Sequence, residues 1–517
     1  MTPSVEFRGL SKAFHGNMAN TDLSFKVRKG SVHAIIGENG AGKSTAMKIL
    51  YGIYQPDEGE IYIEGKLWGG RQKPWSSSSD AILHGIGMVH QHFMLGGPHT
   101  VLDNILLGAE QAHWGWRWLP KALRPIDRDE ARQRLESLSE QYGLKVAWDA
   151  LVENLSVGVH QRIEILKLLY RDAKILILDE PTAVLTQQET NELFDHLRKL
   201  CHRGKTILMI THKLKEVMSI ADRVTVFRAG KIVGEREIHK TYVEDLASLM
   251  VGRKVSLKAE SPPQVVLQEP VLQVQGLSVK DFKLQEVSLQ VRRGEVVGIA
   301  GVEGNGQAEL LQVLLHPLEY QNRMKGVIEV VGKNIEGLNT RQIRDLGMGV
   351  IPDDRLRDAL LTDRPAQENY ILGLHREKPF CQAGLILDRQ VEELTDQAME
   401  EYDIRPRSRL LKADRFSGGN QQKLVIAREF FRSPKLLVIA QPTRGVDVGA
   451  IEFIHKKIFR ARSEGSGILL ISSELDEILA LSDRILVMYT GKIIFEFNRG
   501  EVTEQALGLA MGGEARS

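Results

Sequence analysis

At 517 residues, the usual domain size of about 100 to 200 residues predicts two to four domains, each long enough to bury its own core. Its 68 Lys and Arg balance 67 Asp and Glu for a net charge of +1, which excludes a global electrostatic pull toward nucleic acid or an anionic bilayer. Cys201 and Cys381 have no ligand-like spacing, no apolar run approaches the ~20 residues that cross a bilayer, and the start "MTPSVEFRGLSKAF" lacks a basic stretch followed by an apolar one; a disulfide framework, a zinc site, a membrane span and a secretory leader are not expected, and the reducing cytosol fits best.

Along the first half, short runs rich in Ile and Val, "VHAIIG", "KILILD" and "KTILMI", alternate with helical patterns. That alternation predicts α/β domains with a largely parallel sheet. The first run leads into "GENGAGKST", residues 37–45, which fits G-x-x-x-x-G-K-[ST] between a strand and the helix "STAMKIL". The candidate nucleotide-binding residues are therefore Gly37, Glu38, Asn39, Gly40, Ala41, Gly42, Lys43, Ser44 and Thr45. Glycines let backbone N–H groups wrap the phosphates, Lys43 reaches the β and γ phosphates, and Ser44 offers a hydroxyl to Mg²⁺ at a helix N-terminus. An ordinary glycine turn is the competing reading, and the strand and helix on either side argue against it.

In "VHQHF", His90 and His92 flank Gln91, but no third ligand is at hand and both read as structural. Residues 101–143 contain "DRDEARQRLESLSEQYGL", with apolar residues at helical spacing, and predict a helical insertion in the first half. Within it, "HWGWRWLP" sets Trp114, Trp116 and Trp118 at alternating positions; anchoring a partner and local packing are both open. Further on, "ILILDEPTAVLT" ends an apolar strand on two carboxylates. Asp179 suits a Mg²⁺, usually held through water, and Glu180 suits orienting or deprotonating an attacking water, because phosphoryl transfer needs charge neutralisation and an aligned nucleophile. Capping of the next helix is the alternative for this pair, disfavoured by the phosphate loop upstream.

The second half repeats the first. "VRKGSVHAIIGENGAGKSTAMKIL" at Val27 returns as "VRRGEVVGIAGVEGNGQAELLQVL" at Val291, and "LSVGVHQRIEILKLLYRDAKILILDEPT" at Leu155 as "FSGGNQQKLVIAREFFRSPKLLVIAQPT" at Phe416. In both copies 23 positions separate the serine (Ser156, Ser417) from Asp179 or Ala440, and 33 more lead to "ITHK" or "ISSE". Such matched spacing predicts a duplicated domain: 1–254, a Pro-containing linker 255–270, and 271–517. The copies differ in chemistry, since Gln307, Ala308, Ala440, Gln441, Asp353 and Ser473 stand where the first copy has Lys43, Ser44, Asp179, Glu180, Gln91 and His212. Losing the cation, the Mg²⁺ hydroxyl and the carboxylates leaves no route to hydrolysis in the second copy.

Both halves resemble nucleotide-binding domains of the ATP-binding cassette (ABC) superfamily over nearly the whole chain. "LSVGVHQR" and "FSGGNQQK" are similar to that family's LSGGQ signature. The resemblance implies two tandem P-loop ATPase domains, each with a RecA-like core, an antiparallel β subdomain and a helical subdomain, acting on ATP with Mg²⁺. It implies Gln91 as a Q-loop that senses Mg²⁺ and the membrane partner, His212 as the switch histidine on the γ-phosphate, and Phe14 as the adenine-stacking ring, where the family often has tyrosine. With Lys43 and Glu180 these complete the catalytic set, and Ser44, Gln91 and Asp179 the metal set. Family domains pair head to tail, so the intact signature Ser417, Gly418 and Gly419 of the second copy is expected to serve the intact phosphate loop of the first. In the first copy's signature Val157 and Val159 replace the family's first glycine and its glutamine.

Fused cassettes with "IPDDR" and "QPTRGVDVGA" are similar to ATPases of bacterial importers for nucleosides and simple sugars, and "GMVHQHFML" and "LILDEPTAVLTQQE" favour the nucleoside group. That resemblance implies two integral-membrane permease subunits, an extracytoplasmic solute-binding protein reached through them, and a peripheral place on the cytoplasmic face of the membrane, without nucleic acid. Soluble twin-cassette translation factors typically keep two complete sites and a long charged linker, which this chain does not have.

Overall fold

The Ile- and Val-rich runs become the inner strands of two six-stranded sheets. A computed structural model describes residues 2–14, 16–70, 77–90, 93–109, 126–182, 185, 187–253, 267–280, 282–302 and 304–513, and the chain divides into two units, Met1–Val255 and Ser256–Ser517.

In the first unit the sheet order is Lys231–Glu237, Arg223–Arg228, Val32–Gly37, Thr206–Ile210, Ile175–Asp179, Ile86–Val89. All neighbours are parallel except the antiparallel edge strand Lys231–Glu237. Val32–Gly37, Ile175–Asp179 and Thr206–Ile210 are buried along their whole length, because helices cover both faces of a parallel sheet, and this is why they read as continuous apolar runs. Parallel strands bring their C-terminal ends to one edge, so Gly37, Asp179 and Ile210 all deliver their following loops to the same place. A four-stranded antiparallel sheet, Asn17–Val27, Val5–Phe14, Glu58–Ile63 and Lys66–Gly70, forms a second layer, its core marked by Phe7 stacked on Phe25 with ring centroids 4.4 Å apart.

The insertion expected over 101–143 consists of the helices Val101–Leu106 and Arg128–Tyr142, packed with Val157–Tyr170 through Leu102, Leu135, Ile163 and Leu166. Trp114, Trp116 and Trp118 lie outside the described residues.

The second unit repeats this plan. Its large sheet runs Met348–Ile351, Leu436–Ala440, Gly467–Ser472, Val296–Ala300, Arg484–Tyr489, Lys492–Asn498, the same order of equivalent strands. Its antiparallel sheet is Val287–Arg292, Pro270–Val279, Met324–Val330 and Lys333–Asn334. Helices Ala366–Tyr370, Asp388–Glu401 and Gly418–Phe430 make a helical layer here too, so that layer is not peculiar to the first copy. The end of the expected linker already belongs to this unit: the Leu267 N–H donates to Arg293 O at 3.1 Å and the Arg293 N–H to Glu269 O at 3.0 Å.

Two polar devices anchor the helical layers. Asn104 and Asn369, both buried, each accept a loop N–H (Gly96 and Leu361, 2.7 Å) and return the amide to the same residue's carbonyl at 3.0 Å. In the second unit alone, Glu429 joins helix to sheet: its carboxylate, with no exposed side-chain surface, accepts from Arg344 Nη2 (2.8 Å), Arg428 Nε (3.0 Å) and the Val350 N–H (3.1 Å). The equivalent residue of the first unit is Leu168, against which a Cβ at Gly87 would approach to 2.8 Å.

Candidate active site

The phosphate loop of the first unit follows the buried strand Val32–Gly37 and enters helix Lys43–Leu50. Its turn needs glycine at two positions for different reasons. Gly42 is the N-cap at φ 94°, where a Cβ would lie 2.3 Å from both Ala19 O and Asn20 Nδ2. Gly37 faces the Phe227 carbonyl, 2.3 Å from where its Cβ would be. Asn39 and Gly40 form the exposed crest. Lys43 is buried, and its ammonium donates to Gly37 O at 2.7 Å and Glu38 O at 3.0 Å. Asn20, which no motif singles out, donates to Gly42 O at 3.0 Å and holds the loop against the antiparallel sheet.

The second strand end brings its carboxylates alongside. Ser44 Oγ donates to Asp179 Oδ1 at 3.4 Å. Burial pushes the Asp179 carboxyl up, only partly countered by Ser44, and the charge on Glu180 adds to the rise. A buried carboxylate and a hydroxyl at a helix N-terminus are the hard-oxygen donors that a Mg²⁺ requires, so Ser44 and Asp179 fit that ion. Glu180 sits at φ 49°, a left-handed conformation uncommon for this residue type, and its N–H donates to Ile210 O at 2.9 Å. His212 Nδ1 lies 2.9 Å from Glu180 Oε1. Burial alone would raise the Glu180 pKa, but the His212 hydrogen bond and the charges of His212, Lys43 and Lys213 outweigh it, and the net shift is downward. The turn beyond is tied by Thr182 Oγ1 to Glu216 at 2.6 Å.

The strand ends thus bring Lys43, Ser44, Asp179, Glu180 and His212 to one place. Phe14, half-buried, packs edge-on against Tyr54 at 5.1 Å, with Lys12 Nζ 5.5 Å over its ring. Gln91 and His92 lie outside the described residues. His90 packs edge-on against Tyr51, and burial lowers its pKa, in keeping with a structural histidine.

The second unit keeps the backbone of this site and exchanges its side chains. Gln307 opens helix Gln307–Leu315 behind Gly306 at φ 112°, and its amide donates to Val302 O at 3.3 Å, the carbonyl equivalent to the one Lys43 meets at Glu38. Gln441 is at φ 46°, its N–H donates to Ile471 O at 2.8 Å, and its Oε1 accepts from Ser473 N and Oγ, both at 3.2 Å. The Gln441 and Ser473 contact reproduces that of Glu180 and His212 with neutral groups.

Ser417 is the N-cap of helix Gly418–Phe430 and accepts from Asn420 Nδ2 at 2.9 Å. Its two glycines are required by close approach: a Cβ at Gly418 would lie 2.5 Å from Arg355 Nη2 and 2.7 Å from Gly445 O, and one at Gly419 3.1 Å from Asp447 Oδ2. Asp447 caps helix Val448–Ser463 through Ala450 N at 2.8 Å. Arg355 is a contributor that motif spacing does not assign, although it closes the "IPDDR" segment.

A family model described as ABC transporter matches residues 20–183 and 284–444. The chain is 45% identical over 516 residues to the guanosine import ATP-binding protein NupO of Bacillus subtilis (strain 168), covering 99% of this chain and 98% of that protein. It is 43% identical to the nucleoside import ATP-binding protein NupA of Lactococcus lactis subsp. cremoris (strain MG1363), covering 98% of each. It is 42% identical over 541 residues to the glucose import ATP-binding protein TsgD13 of Haloferax volcanii (strain ATCC 29605), covering 99% of this chain and 96% of that protein. Among the described residues no helix is long and apolar enough to cross a membrane.

Proposed function

Because the chain belongs to the ABC transporter family, we propose that it is the ATP-hydrolysing subunit of a nucleoside importer, with one working composite ATP site. The observation that carries this reading is the asymmetry of the two units. The first has the Lys43, Ser44, Asp179, Glu180 and His212 constellation, and the second has neutral replacements on the same backbone beside a complete signature.

The chain's own residues divide the work. Lys43 and the amides of residues 37–45 hold the β and γ phosphates of ATP. Ser44 and Asp179, joined by Gln91, would hold a Mg²⁺, which when bound supplies neutralisation of phosphate charge. Glu180, kept ionised by His212, takes the proton of the attacking water, and His212 fixes the carboxylate's direction. Ser417, Gly418 and Gly419 present a hydroxyl and helix N-terminal amides to the γ-phosphate, completing the site from the second copy. Binding and hydrolysis at a site shared by two domains give a closing and opening movement, which two membrane permeases convert to transport at the cytoplasmic face, with an extracytoplasmic solute-binding protein delivering the solute.

Nucleosides are favoured because the guanosine and nucleoside import proteins are 45% and 43% identical over nearly their full length, against 42% for the glucose import protein. The glucose import protein, nearly as similar, supports a simple sugar as the second reading. Uptake of radiolabelled guanosine, uridine, glucose and ribose by the reconstituted transporter decides between them. ATP-dependent uptake of a nucleoside and not of the sugars is expected, and uptake of the sugars alone would overturn the nucleoside reading.

A further inference from the structure

Each duplicated motif offers a comparison within one chain, and one pair of differences lies outside the nucleotide chemistry. In the second unit Arg355 begins the short helix Arg355–Asp358, oriented by Asp354, whose carboxylate accepts from the Leu356 and Arg357 N–H groups at 3.1 Å. Its guanidinium meets two other segments. Nε donates to Gln421 Oε1 at 3.3 Å on the signature helix, and Nη1 to Arg444 O at 2.8 Å in the turn that leads to Asp447. Nη2 lies across Gly418, so close that a Cβ there would come to 2.5 Å. Gln421 in turn donates to Ala413 O at 3.0 Å, ahead of the signature.

Among the described residues the first unit keeps only the last of these contacts, as His160 Nε2 lies 2.8 Å from Val152 O, the carbonyl equivalent to that of Ala413. Val157 takes the place of Gly418 and is 38% exposed, His160 takes the place of Gln421, and Phe93 stands two residues past the Gln91 position, where Arg355 stands past Asp353. Phe93 and His160 pack edge-on with centroids 5.8 Å apart. Guanidinium, glycine and glutamine are present together in one copy and replaced together in the other. Burial works against the charge of Arg355, so it is held where its fork makes directed contacts that a point charge or a ring cannot.

We propose that Arg355 is a positioning residue for ATP hydrolysis: it locks the signature at Gly418 to the turn at Arg444 and Gly445, and so sets the direction of the Ser417 hydroxyl and the helix amides. This rests on the reading that the second copy's signature completes the site of the first. The contacts of Arg355 lie within the second unit, so its loss is expected to act on turnover and leave ATP capture by Lys43 in place.

The test is steady-state ATP hydrolysis by the full chain in its assembled transporter. Arg355→Ala is expected to lower kcat about tenfold with the KM for ATP within about twofold, the signature of an interaction used in the transition state. Arg355→Lys, with one donor in place of a fork, recovers part of the loss. Gly418→Ala is damaging in the wild-type background, since its methyl meets both the guanidinium and the Gly445 carbonyl, and the Arg355→Ala, Gly418→Ala double variant falls no more than about twofold below the worse single, because both changes break the same lock between signature and turn. Ser417→Arg run alongside separates the two ideas. If Ser417→Arg abolishes turnover while Arg355→Ala keeps kcat within about twofold, or raises KM alone, the role of Arg355 is overturned. If Ser417→Arg leaves turnover intact, the composite-site reading falls first. Unchanged thermal unfolding of Arg355→Lys guards against a folding defect, and full loss in that variant with a lowered midpoint would also overturn the proposal.

Discussion

Glu180→Gln removes a proton acceptor without disturbing its support, and the second unit shows why the amide fits. Gln441 occupies the same left-handed backbone, φ 46° against 49° for Glu180, with its N–H bonded to Ile471 O as that of Glu180 is to Ile210 O. The substitution is therefore expected to change stability by no more than roughly 0.5 kcal/mol. Lys43, Ser44 and Asp179 keep their contacts, so ATP affinity is expected to stay within about twofold. Removing a general base costs about 10² to 10⁴ in rate, or roughly 3 to 5 kcal/mol at the transition state. Phosphate release by the assembled transporter at saturating MgATP reads the second quantity, and retention of labelled ATP on the same preparation reads the first. Residual hydrolysis above about a tenth of wild type, well outside the general-base range, would refute a single working site built on Glu180.

His212→Ala leaves burial as the leading influence on the Glu180 carboxyl. The acid limb of the kcat profile is then expected to move to higher pH, because a carboxylate held low by its partner is protonated sooner without it; an unmoved limb assigns that limb elsewhere. Gly42→Ala, with its Cβ 2.3 Å from Ala19 O and Asn20 Nδ2, is expected to abolish ATP binding. Gly40→Ala, with no atom within 4 Å, loses only the about 1 to 2 kcal/mol of a left-handed alanine, and equilibrium titration with a fluorescent ATP analogue separates the two. Ser417→Arg is expected to cost nearly as much ATPase activity as Glu180→Gln, whereas Ser156→Arg is mild; equal losses point to two working sites. His33 is buried, with its pKa pushed down to about 3, below the about 6.5 of an unfolded chain. It therefore stabilises the fold above about pH 6.5 and loses that contribution as pH falls toward 3. His33→Val, matching Val297 of the second copy, should shrink the difference in thermal midpoint between about pH 7.5 and 5.5, and an unchanged difference would exclude His33 as its source.

Much of this was readable from residue order, for a physical reason. Phosphate loops and metal carboxylates need particular side chains at particular strand ends, so Lys43, Ser44, Asp179 and Glu180 announce themselves locally, whereas His212 enters only through the family resemblance, and duplication sets each against its replacement. What escaped was tertiary. Asn20 reaches the loop from a neighbouring sheet, Asn104 and Asn369 are ordinary residues until burial shows what they clamp, and Arg355 acquires meaning only when helix and turn come within hydrogen-bond reach of its fork, at 3.3 and 2.8 Å. The helical insertion located by its periodicity in the first copy has its counterpart at Ala366–Tyr370 and Asp388–Glu401, in keeping with the helical subdomain expected of each domain.

The Glu429 junction makes the two halves mechanically unequal. Parting Glu429 from Arg428 and Arg344 would strand buried charge, which costs about 3 to 5 kcal/mol, whereas sliding Leu168 across Gly87 breaks only apolar contact. The second unit's signature helix should therefore exchange its backbone amides with solvent only when the sheet edge at Val350 opens too, while the first unit's helix, tied instead to the segment at Met94 through Glu164 and Lys167, opens without parting an ion pair at that edge. On that expectation the more firmly tied signature helix belongs to the unit that lacks the hydrolytic carboxylates.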